Sequence, residues 1–276
     1  MKNRTELFLK YSNSVIPIGH IFNKTENIPI NSKYLIPWCR RGKKVFIFPA
    51  ATAFILKIDK DITQLVTANH AFPEIEKNID IALFLIPQAE TPADLRPFPV
   101  SEIKIYSGLR SYKRLPRQDI CVFEIDTPEV LFHLKPKPIP LGLDFLIGDP
   151  VFTMGYPFIG FEGTYQNGLP NYHFVNRLTS AHLSSIWVES NETLIMEFDN
   201  YVGPGNSGGP LFSLRTGQVI GIVTSVRTEP IPNFPQLQNT TTFSHATYVS
   251  ELNRACQKFP NLPKFGECLH CYSQKK

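Results

Sequence analysis

The sequence has no long apolar segment. Its most apolar run, Val45 to Leu56, is short and contains Pro49, and the stretch Leu7 to Leu9 is too short for the core of a signal peptide. A helix that spans a bilayer needs about 20 consecutive apolar residues. We therefore expect neither a membrane-spanning segment nor an export signal, and we predict a cytoplasmic protein that does not act at a membrane.

Cysteine is scarce, and its spacing gives no disulfide framework. The chain has five cysteines, which are Cys39, Cys121, Cys256, Cys268 and Cys271. An odd number without a paired pattern favours a reducing compartment. Cys268 and Cys271 form a C-x-x-C pair, which is half of a zinc site, but the sequence has no second such pair and no His-x-x-His pair. Unless folding brings Cys39 or Cys256 to the tail, we predict no metal site and no other cofactor.

Charge is also low. The net charge is +4, and charged residues make up 19% of the chain. The densest basic cluster, Arg110 to Arg117, is not accompanied by a nucleic-acid-binding motif. We therefore predict that nucleic acid is not among the partners of this protein.

Short apolar runs separated by turn residues dominate the chain, which indicates strands rather than helices. A first series comprises Lys44 to Phe48, Ala53 to Ile58, Gln64 to Thr67, Ile79 to Ile86, Glu102 to Tyr106 and Ile120 to Ile125. A second series comprises Pro150 to Gly155, Val175 to Ile186, Thr193 to Phe198, Gly209 to Ser213, Val219 to Val226 and Thr241 to Thr247. The pattern predicts an all-β fold in which Ser12 to Gly19 adds an outer strand and Ala246 to Gln257 forms a closing helix.

The segment Gly205-Asn206-Ser207-Gly208-Gly209-Pro210-Leu211-Phe212 carries the strongest chemical signal. A serine hydroxyl becomes a nucleophile when a base takes its proton, and the resulting oxyanion needs N–H donors. Glycines beside the serine allow a tight turn and leave those donors unobstructed. The segment resembles the nucleophile loop of serine proteases with the chymotrypsin fold. That resemblance implies that the N–H groups of Gly205 and Ser207 form the oxyanion hole.

The base is expected upstream of the serine. The segment Leu65 to Ala71 resembles the family's histidine motif, with Asn69 in place of the usual alanine, and it implies His70 as the general base. The preceding segment Ala51 to Leu56 resembles the strand that leads to this motif. Secreted relatives carry a cysteine directly after the histidine, whereas this chain has Ala71.

Two aspartates compete for the role of the acid that orients His70. Asp80 and Asp119 each begin a similar apolar run. Asp80 follows His70 by only ten residues, which is too little chain for the strands that the family inserts there. Asp119 follows by 49 residues, and the chain after it fits as well. We therefore predict Asp119 as the orienting acid and Asp80 as the start of a core strand.

Several segments resemble the HtrA/Deg branch of the family. They are Pro138 to Gly142, Leu146 to Pro157, Arg177 to Ile186 and Ile195 to Pro204. The resemblance covers roughly residues 45–255, and no PDZ-like module is recognisable. Asn206 stands where secreted trypsin-like enzymes carry the aspartate that pairs with a new amino terminus. We therefore predict activity without N-terminal processing.

The family resemblance implies two six-stranded antiparallel β-barrels with a C-terminal helix. Residues 41–127 would form the N-terminal barrel with His70 and Asp119, and residues 128–140 the interdomain crossover. Residues 141–258 would form the C-terminal barrel with Ser207 and the closing helix. Residues 1–40 are an N-terminal extension of unassigned role, and residues 259–276 are a tail that contains cysteines.

The resemblance also implies where the primary specificity pocket lies. Its predicted lining consists of Tyr201, Val202, Thr224, Ser225, Val226 and His245. Tyr201 stands where trypsin has the aspartate that selects Lys or Arg, and Val226 falls where trypsin has a glycine. We expect small or medium apolar residues before the cleaved bond. His245 is predicted near the pocket floor, with a histidine that faces solvent or the helix as the alternative, and the insertion Arg227 to Asn239 is expected to cover the pocket.

The predicted function is that of a serine endopeptidase whose partners are protein or peptide substrates. Ser207 would attack the scissile carbonyl, and an acyl-enzyme would form and then be hydrolysed. Two other interpretations stay open. One is a latent or inactive trypsin-like domain that serves as a sensor or binding module, controlled by an activating protein partner. The other is an unrelated all-β binding protein in which the glycine-rich segment arose by chance.

Overall fold

The computed structural model describes residues 2–22, 35–73, 79–86, 98–99, 103–157, 173–231 and 234–252. The α-helices whose bounds lie within these residues are α1 (Arg4–Tyr11) and α2 (Glu129–Leu134), and short 3-10 helices occur at Ser12–Ser14, Asn69–Ala71 and Pro116–Gln118. The strands in the first part are β1 (Val15–Phe22), β2 (Ile36–Arg40), β3 (Lys43–Ile58), β4 (Ile62–Ala68), β5 (Ile79–Leu85), β6 (Phe98–Pro99), β7 (Lys104–Tyr106), β8 (Leu109–Leu115) and β9 (Ile120–Asp126). Those in the second part are β10 (Pro150–Gly155), β11 (His173–Phe174), β12 (Arg177–Val188), β13 (Leu194–Phe198), β14 (Pro210–Ser213), β15 (Val219–Ile231) and β16 (Phe234–Tyr248).

The strands of the first part form one antiparallel sheet, except β6, which pairs with β11. The strand order of the sheet is β7-β5-β1-β3-β4-β9-β8, and β2 pairs with β3 at one side. A bulge between Ile18 and Gly19 shifts the register of β1 against β3, which bends the sheet. The two end strands do not pair with each other within the described residues. The predicted first barrel is therefore not confirmed as a closed barrel.

The second part forms a closed antiparallel barrel. The strands follow one another in the order β10-β12-β13-β16-β15-β14. The inward side chains are apolar and fully buried, as the alternation of residues along each strand requires, and they include Val151, Leu183, Met196, Phe198, Leu211 and Ile220. This barrel confirms half of the predicted architecture.

The amino-terminal residues are part of both units. β1 lies between β3 and β5, so the predicted outer strand is a central one. Its side chains are apolar on both faces, which suits a strand that is covered on both sides. Helix α1 begins after Asn3, whose side chain accepts a hydrogen bond from the N–H of Thr5. Its buried Tyr11 stacks on Phe212 of the barrel at a centroid distance of 5.6 Å. The helix therefore packs the chain start onto the second unit.

The carboxyl-terminal prediction needs correction. Residues 246–248 continue β16 to Tyr248 instead of beginning a helix, because they pair with β13 and β15 in the closed barrel. Helical backbone begins at Ser250 and continues to Leu252, and residues 253–257 of the predicted helix lie outside the described residues. In the predicted insertion, Thr228 pairs with Thr240 and extends β15 and β16 into a two-stranded ribbon, and the position of this ribbon over the pocket stays a prediction. Neither helix of the described residues is long and apolar enough to cross a membrane.

Candidate active site

The sheet register brings His70 and Asp119 together. β4 pairs with β9 so that Ala68 lies opposite Ile120. His70 comes two residues after Ala68, and Asp119 comes directly before Ile120. The N–H of Asn69 donates to the carbonyl of Asp119 at 2.9 Å. The position of Asp119 beside His70 therefore results from ordinary strand pairing.

Both carboxylate oxygens of Asp119 contact His70. Oδ1 accepts from the His70 backbone N–H at 2.9 Å, and Oδ2 lies 2.7 Å from Nδ1 of the ring. A proton on Nδ1 would donate to this carboxylate and leave Nε2 free to accept a proton. Asp80, the competing aspartate, lies on β5 and pairs with Arg40 at 2.6 Å. Of the two aspartates, Asp119 is the one that contacts the imidazole.

Asn69, which departs from the family's usual alanine, has its own partner. The guanidinium of Arg114 on β8 donates to the side-chain oxygen of Asn69 at 2.7 Å and to its carbonyl at 3.0 Å. These bonds fix the short turn that carries His70. The substitution is therefore compensated locally, and it leaves the geometry between His70 and Asp119 intact.

The nucleophile loop is hydrogen-bonded to the first sheet and to the barrel. The N–H of Thr52 on β3 donates to the carbonyl of Ser207 at 2.9 Å. The N–H of Gly208 donates to the carbonyl of Val223 on β15 at 2.7 Å. A Cβ on Gly208 would overlap Thr67 Oγ1 and would come within 2.7 Å of the Ala68 nitrogen. Ser207 is thus brought close to the strand that leads to His70.

The Ser207 hydroxyl has a weak partner in this structure. Its Oγ donates to the carbonyl of Thr224 at 3.5 Å, and within the described residues no hydrogen bond joins it to His70. Catalytic hydrogen bonds are often long in unliganded enzymes and shorten when substrate binds.

Two backbone donors beside the serine are available. Among the hydrogen bonds of the described residues, neither the N–H of Gly205 nor that of Ser207 has a protein acceptor. Gly205 has a φ of +95°, a conformation that favours glycine. These are the two donors that the sequence predicts for an oxyanion hole.

Asn206 is a neutral residue at the position where secreted trypsin-like enzymes carry a charged aspartate. It is buried, and its side-chain nitrogen donates to the carbonyl of Gly203 at 2.9 Å. Its side-chain oxygen lies where a Cβ on Gly155 would have to sit. The amide therefore braces the loop from within, without an ion pair to a new amino terminus.

Changing Asn206 to Asp is expected to lower the free energy of unfolding by about 2 to 4 kcal/mol, because a buried carboxylate would lose the donor to Gly203 and face its carbonyl instead. Burial raises the pKa of such a carboxyl, so the penalty is largest at pH 8 and shrinks as the pH falls through that raised pKa. Thermal unfolding at pH 5 and pH 8 measures both effects.

The matched control is Asn13→Asp. Asn13 donates to the carbonyl of Leu134 at 2.9 Å, but it is only partly buried and lies outside the loop. A smaller and less pH-dependent loss is expected there. Equal losses in both variants at both pH values would contradict the role assigned to Asn206.

Gly208 is a second position with a sharp expectation. Its φ is +85°, and a Cβ there would overlap Thr67 Oγ1 and the Thr52 carbonyl, neither of which is the end of a flexible chain. Gly208→Ala is expected to cost about 3 kcal/mol or more of stability, because strain and overlap add. Gly42 has a φ of +77°, and no atom lies within 4 Å of the point that a Cβ would occupy there. Gly42→Ala therefore isolates the strain, at about 1 kcal/mol, and unfolding in denaturant compares the two variants.

Ser244 and His245 are neighbours on β16 that face opposite sides of the strand. The N–H of Val202 donates to Ser244 Oγ at 3.0 Å, so Ser244 lies on the side of Val202 and Tyr201. Successive residues of a strand point to opposite faces. His245 therefore points away from Val202, and its predicted place on the pocket floor stays a prediction. Ser244 was missed by the sequence reasoning, because no local motif marks it.

His245 belongs to a polar cluster on the other face. Its ring lies 3.3 Å from Ser225 Oγ and 3.4 Å from Glu197 Oε2, and the edge of Trp187 packs on it. Ser225 and His245 line a cavity of about 130 Å³ that also reaches Asp119 and Thr224. Because Asp119 also lines this polar cavity, the cavity lies beside the pair that Asp119 forms with His70.

The cysteines give no metal site in the part of the chain that is described. Cys39 is exposed and Cys121 is a buried free thiol, and burial raises the pKa of the Cys121 thiol. Within the described ranges, no group of three potential metal ligands is present. Cys256, Cys268 and Cys271 lie outside these ranges, so the prediction about the tail stays a prediction.

Comparison with known proteins assigns the family. The family model described as a trypsin-like peptidase domain matches residues 51–222, which is more than half of the chain. Protease Do-like 1 of the Arabidopsis thaliana chloroplast is 32% identical over 109 residues, which cover 40% of this chain and 23% of that protein. A probable periplasmic DegP-like serine endoprotease of Brucella suis is 34% identical over 113 residues, which cover 40% and 19%. The match thus spans about a fifth to a quarter of these relatives.

Solved structures agree on the fold. The HtrA-type protease AlgW, solved with a decapeptide, superposes with a TM-score of 0.54 at 17% identity and covers 93% of this chain and 67% of that chain. An inactive form of Rv3671c from M. tuberculosis H37Rv gives a TM-score of 0.52 at 15% identity, with 94% and 93% covered. The predicted resemblance is confirmed: this chain belongs to the family of trypsin-like peptidase domains, and part of it is similar to proteases of the HtrA/Deg type.

Proposed function

We propose that this protein is a serine endopeptidase that works through Ser207, His70 and Asp119. The observation that carries the proposal is the pairing of His70 Nδ1 with Asp119 Oδ2 at 2.7 Å, beside a nucleophile loop bonded to the same sheet. The relatives named above are proteases, which favours this function over a non-catalytic sensor or binding module.

The proposed reaction is acyl transfer in two halves. His70 Nε2 takes the proton of Ser207 Oγ while that oxygen bonds to the scissile carbonyl carbon. The N–H groups of Gly205 and Ser207 donate to the oxyanion, and His70 returns the proton to the leaving amine. Water then attacks the acyl-enzyme by the same route and releases the new carboxylate. Asp119 holds the imidazole tautomer and stabilises the imidazolium. His70 thus carries the proton in both halves of the reaction.

The substrate is proposed to be a protein or peptide. Tyr201, Val202, Val226 and the buried Ser244 would border the primary pocket, and we expect small or medium apolar side chains there. Thr224 and Ser225 would lie along the substrate backbone, beside the polar cavity that contains His245. Cleavage of a peptide library, read by mass spectrometry, measures this preference.

Three further predictions carry over as proposals. We propose that the His70 half comprises the predicted residues 41–127 together with β1 and β2, which belong to the same sheet, and that the Ser207 half lies within residues 141–258. We keep a cytoplasmic location, although the relatives are named as chloroplastic or periplasmic proteins. Dependence on an activating partner would appear as activity that rises when a second protein is added.

Labelling with a fluorophosphonate tests the proposed function. The probe reacts with a serine only where a base and an oxyanion hole activate it. We expect labelling of the wild type and none of Ser207→Ala or His70→Ala. Absence of labelling in folded wild-type protein, with no hydrolysis of any peptide in the library, would contradict the proposal.

A further inference from the structure

Thr52 contacts the nucleophile loop from the other half of the molecule. It lies on β3 and is fully buried. Its Oγ1 donates to the carbonyl of Gly205 at 2.7 Å, although the two residues are 153 positions apart. Its backbone N–H donates to the carbonyl of Ser207 at 2.9 Å. One residue of the first sheet thus holds two carbonyls of the loop that carries the nucleophile.

The direction of the Thr52 hydroxyl is determined by a third contact. The N–H of Tyr156, which follows β10, donates to the same Oγ1 at 3.0 Å. A threonine hydroxyl has one hydrogen to donate. Because Tyr156 supplies a hydrogen to this oxygen, the hydroxyl's own hydrogen is directed at Gly205. The bond is buried, where an electrostatic interaction is less screened than in water.

The backbone of Thr52 is itself anchored. Its carbonyl accepts a hydrogen bond from Thr67 Oγ1 at 2.7 Å, and Thr67 is also fully buried. Thr67 lies on β4, three residues before His70. The same network therefore connects the strand that carries the base with the loop that carries the nucleophile.

The restrained peptide is the one that follows Gly205. Glycine has a wider choice of backbone conformations than any other residue, so a glycine at a φ of +95° needs external restraint to stay there. The carbonyl bond to Thr52 fixes the plane on one side of the Gly205 Cα. The N–H on the other side is a proposed oxyanion donor, and its direction depends on the same two dihedral angles.

We propose that Thr52 is a positioning residue for the oxyanion hole, acting through the carbonyl of Gly205 to hold the Gly205 N–H in place. The inference rests on the proposed function. According to this inference, the hydroxyl of Thr52, and not the size of its side chain, positions the Gly205 N–H. Thr52 does not touch the substrate in this scheme, so its effect falls on stabilisation of the oxyanion rather than on substrate binding.

The test compares Thr52→Val and Thr52→Ser with the wild type in the full chain. Loss of one direct oxyanion donor lowers kcat by about 100- to 1000-fold, so loss of a group that only positions a donor is expected to lower kcat by about 10- to 100-fold. KM is expected to change little in Thr52→Val. Thr52→Ser keeps the hydroxyl and is expected to restore most of kcat.

A peptide aldehyde adds a readout that a merely structural role would not change selectively. The aldehyde forms a tetrahedral adduct with the serine and places an oxyanion in the hole. Its affinity is expected to fall by the same factor as kcat/KM in Thr52→Val, and to recover in Thr52→Ser. Aldehyde affinity and kcat that both stay at the wild-type level in folded Thr52→Val would overturn the inference, as would a Thr52→Ser variant as impaired as Thr52→Val.

Thr63→Val is the matched control. Thr63 is also fully buried, lies at the far end of neighbouring β4, and its hydroxyl bonds to Thr127 Oγ1 at 2.9 Å. A similar loss of thermal stability is expected in both valine variants, but unchanged kcat only in Thr63→Val. A loss of kcat in Thr63→Val equal to that in Thr52→Val would overturn the inference, because general loosening would then explain both.

Amide hydrogen exchange distinguishes a failure of the proposed function from a failure of the role assigned to Thr52. Thr52→Val is expected to speed exchange in residues 203–209, and Thr63→Val is not. An inactive wild type with this exchange pattern would reject the proposed function and keep Thr52 as the restraint on the loop. An active wild type without faster exchange or slower catalysis in Thr52→Val would reject the role of Thr52 alone.

Discussion

Replacing Ser207 by alanine is expected to lower kcat by about a million-fold, by analogy with the measured loss in another serine protease triad. The alanine removes the atom that we propose forms the acyl bond, while the strand contacts of the loop through Thr52 and Gly208 remain. Folding should therefore be intact, and KM should change little. Steady-state hydrolysis of a fluorogenic peptide measures the effect, with circular dichroism as the check on folding.

Ser184→Ala is the matched control for this variant. Ser184 Oγ also donates to a carbonyl at 3.5 Å, that of His182, but this half-buried residue lies on β12 and away from the site. Its replacement is expected to leave kcat unchanged. Substantial hydrolysis that persists in purified Ser207→Ala would mean that another group is the nucleophile.

Asp119→Asn is expected to lower kcat by about ten-thousand-fold, the magnitude known for the equivalent change in a related triad. The amide oxygen can still accept from the His70 backbone N–H, but the amide nitrogen would then face Nδ1 as a donor. The imidazole would have to carry its proton on Nε2, and it could no longer accept the serine proton. Peptide hydrolysis and fluorophosphonate labelling are both expected to show the loss.

The competing aspartate supplies the control. Asp80 pairs with Arg40 at 2.6 Å, and both side chains are about one quarter exposed. A partly exposed ion pair contributes about 1 kcal/mol or less, so Asp80→Asn should change stability slightly and kcat hardly at all. A larger loss of kcat in Asp80→Asn than in Asp119→Asn would reverse the assignment of the acid.

Strand positions were predictable because the alternation of apolar residues is local. The runs beginning at Ile79, Ile120 and Pro150 all form strands. The two predictions that failed depended on partners distant in sequence. Whether Ser12 to Gly19 lies at an edge or at the centre depends on which strands flank it, and residues 246–248 are extended because two neighbouring strands pair with them.

The site shows the same division. The contact of His70 with Asp119 rather than Asp80 could be predicted, because short contiguous motifs and their order mark these residues. The contacts of His245 with Ser225 and Glu197 could not be predicted, because the face on which a strand residue lies depends on the exact register. Ser244 was missed for a related reason, since a single buried serine carries no pattern of its own.

By itself, the sequence determined the family, the β-rich composition and the three residues proposed to carry catalysis. Those features are encoded in contiguous segments whose chemistry can be recognised without knowing what surrounds them. Only the tertiary structure decided that α1 packs onto the second barrel and that Thr52 holds Gly205 across 153 residues of chain. Such contacts join distant residues of ordinary type, and folding alone brings their hydrogen-bonding groups together.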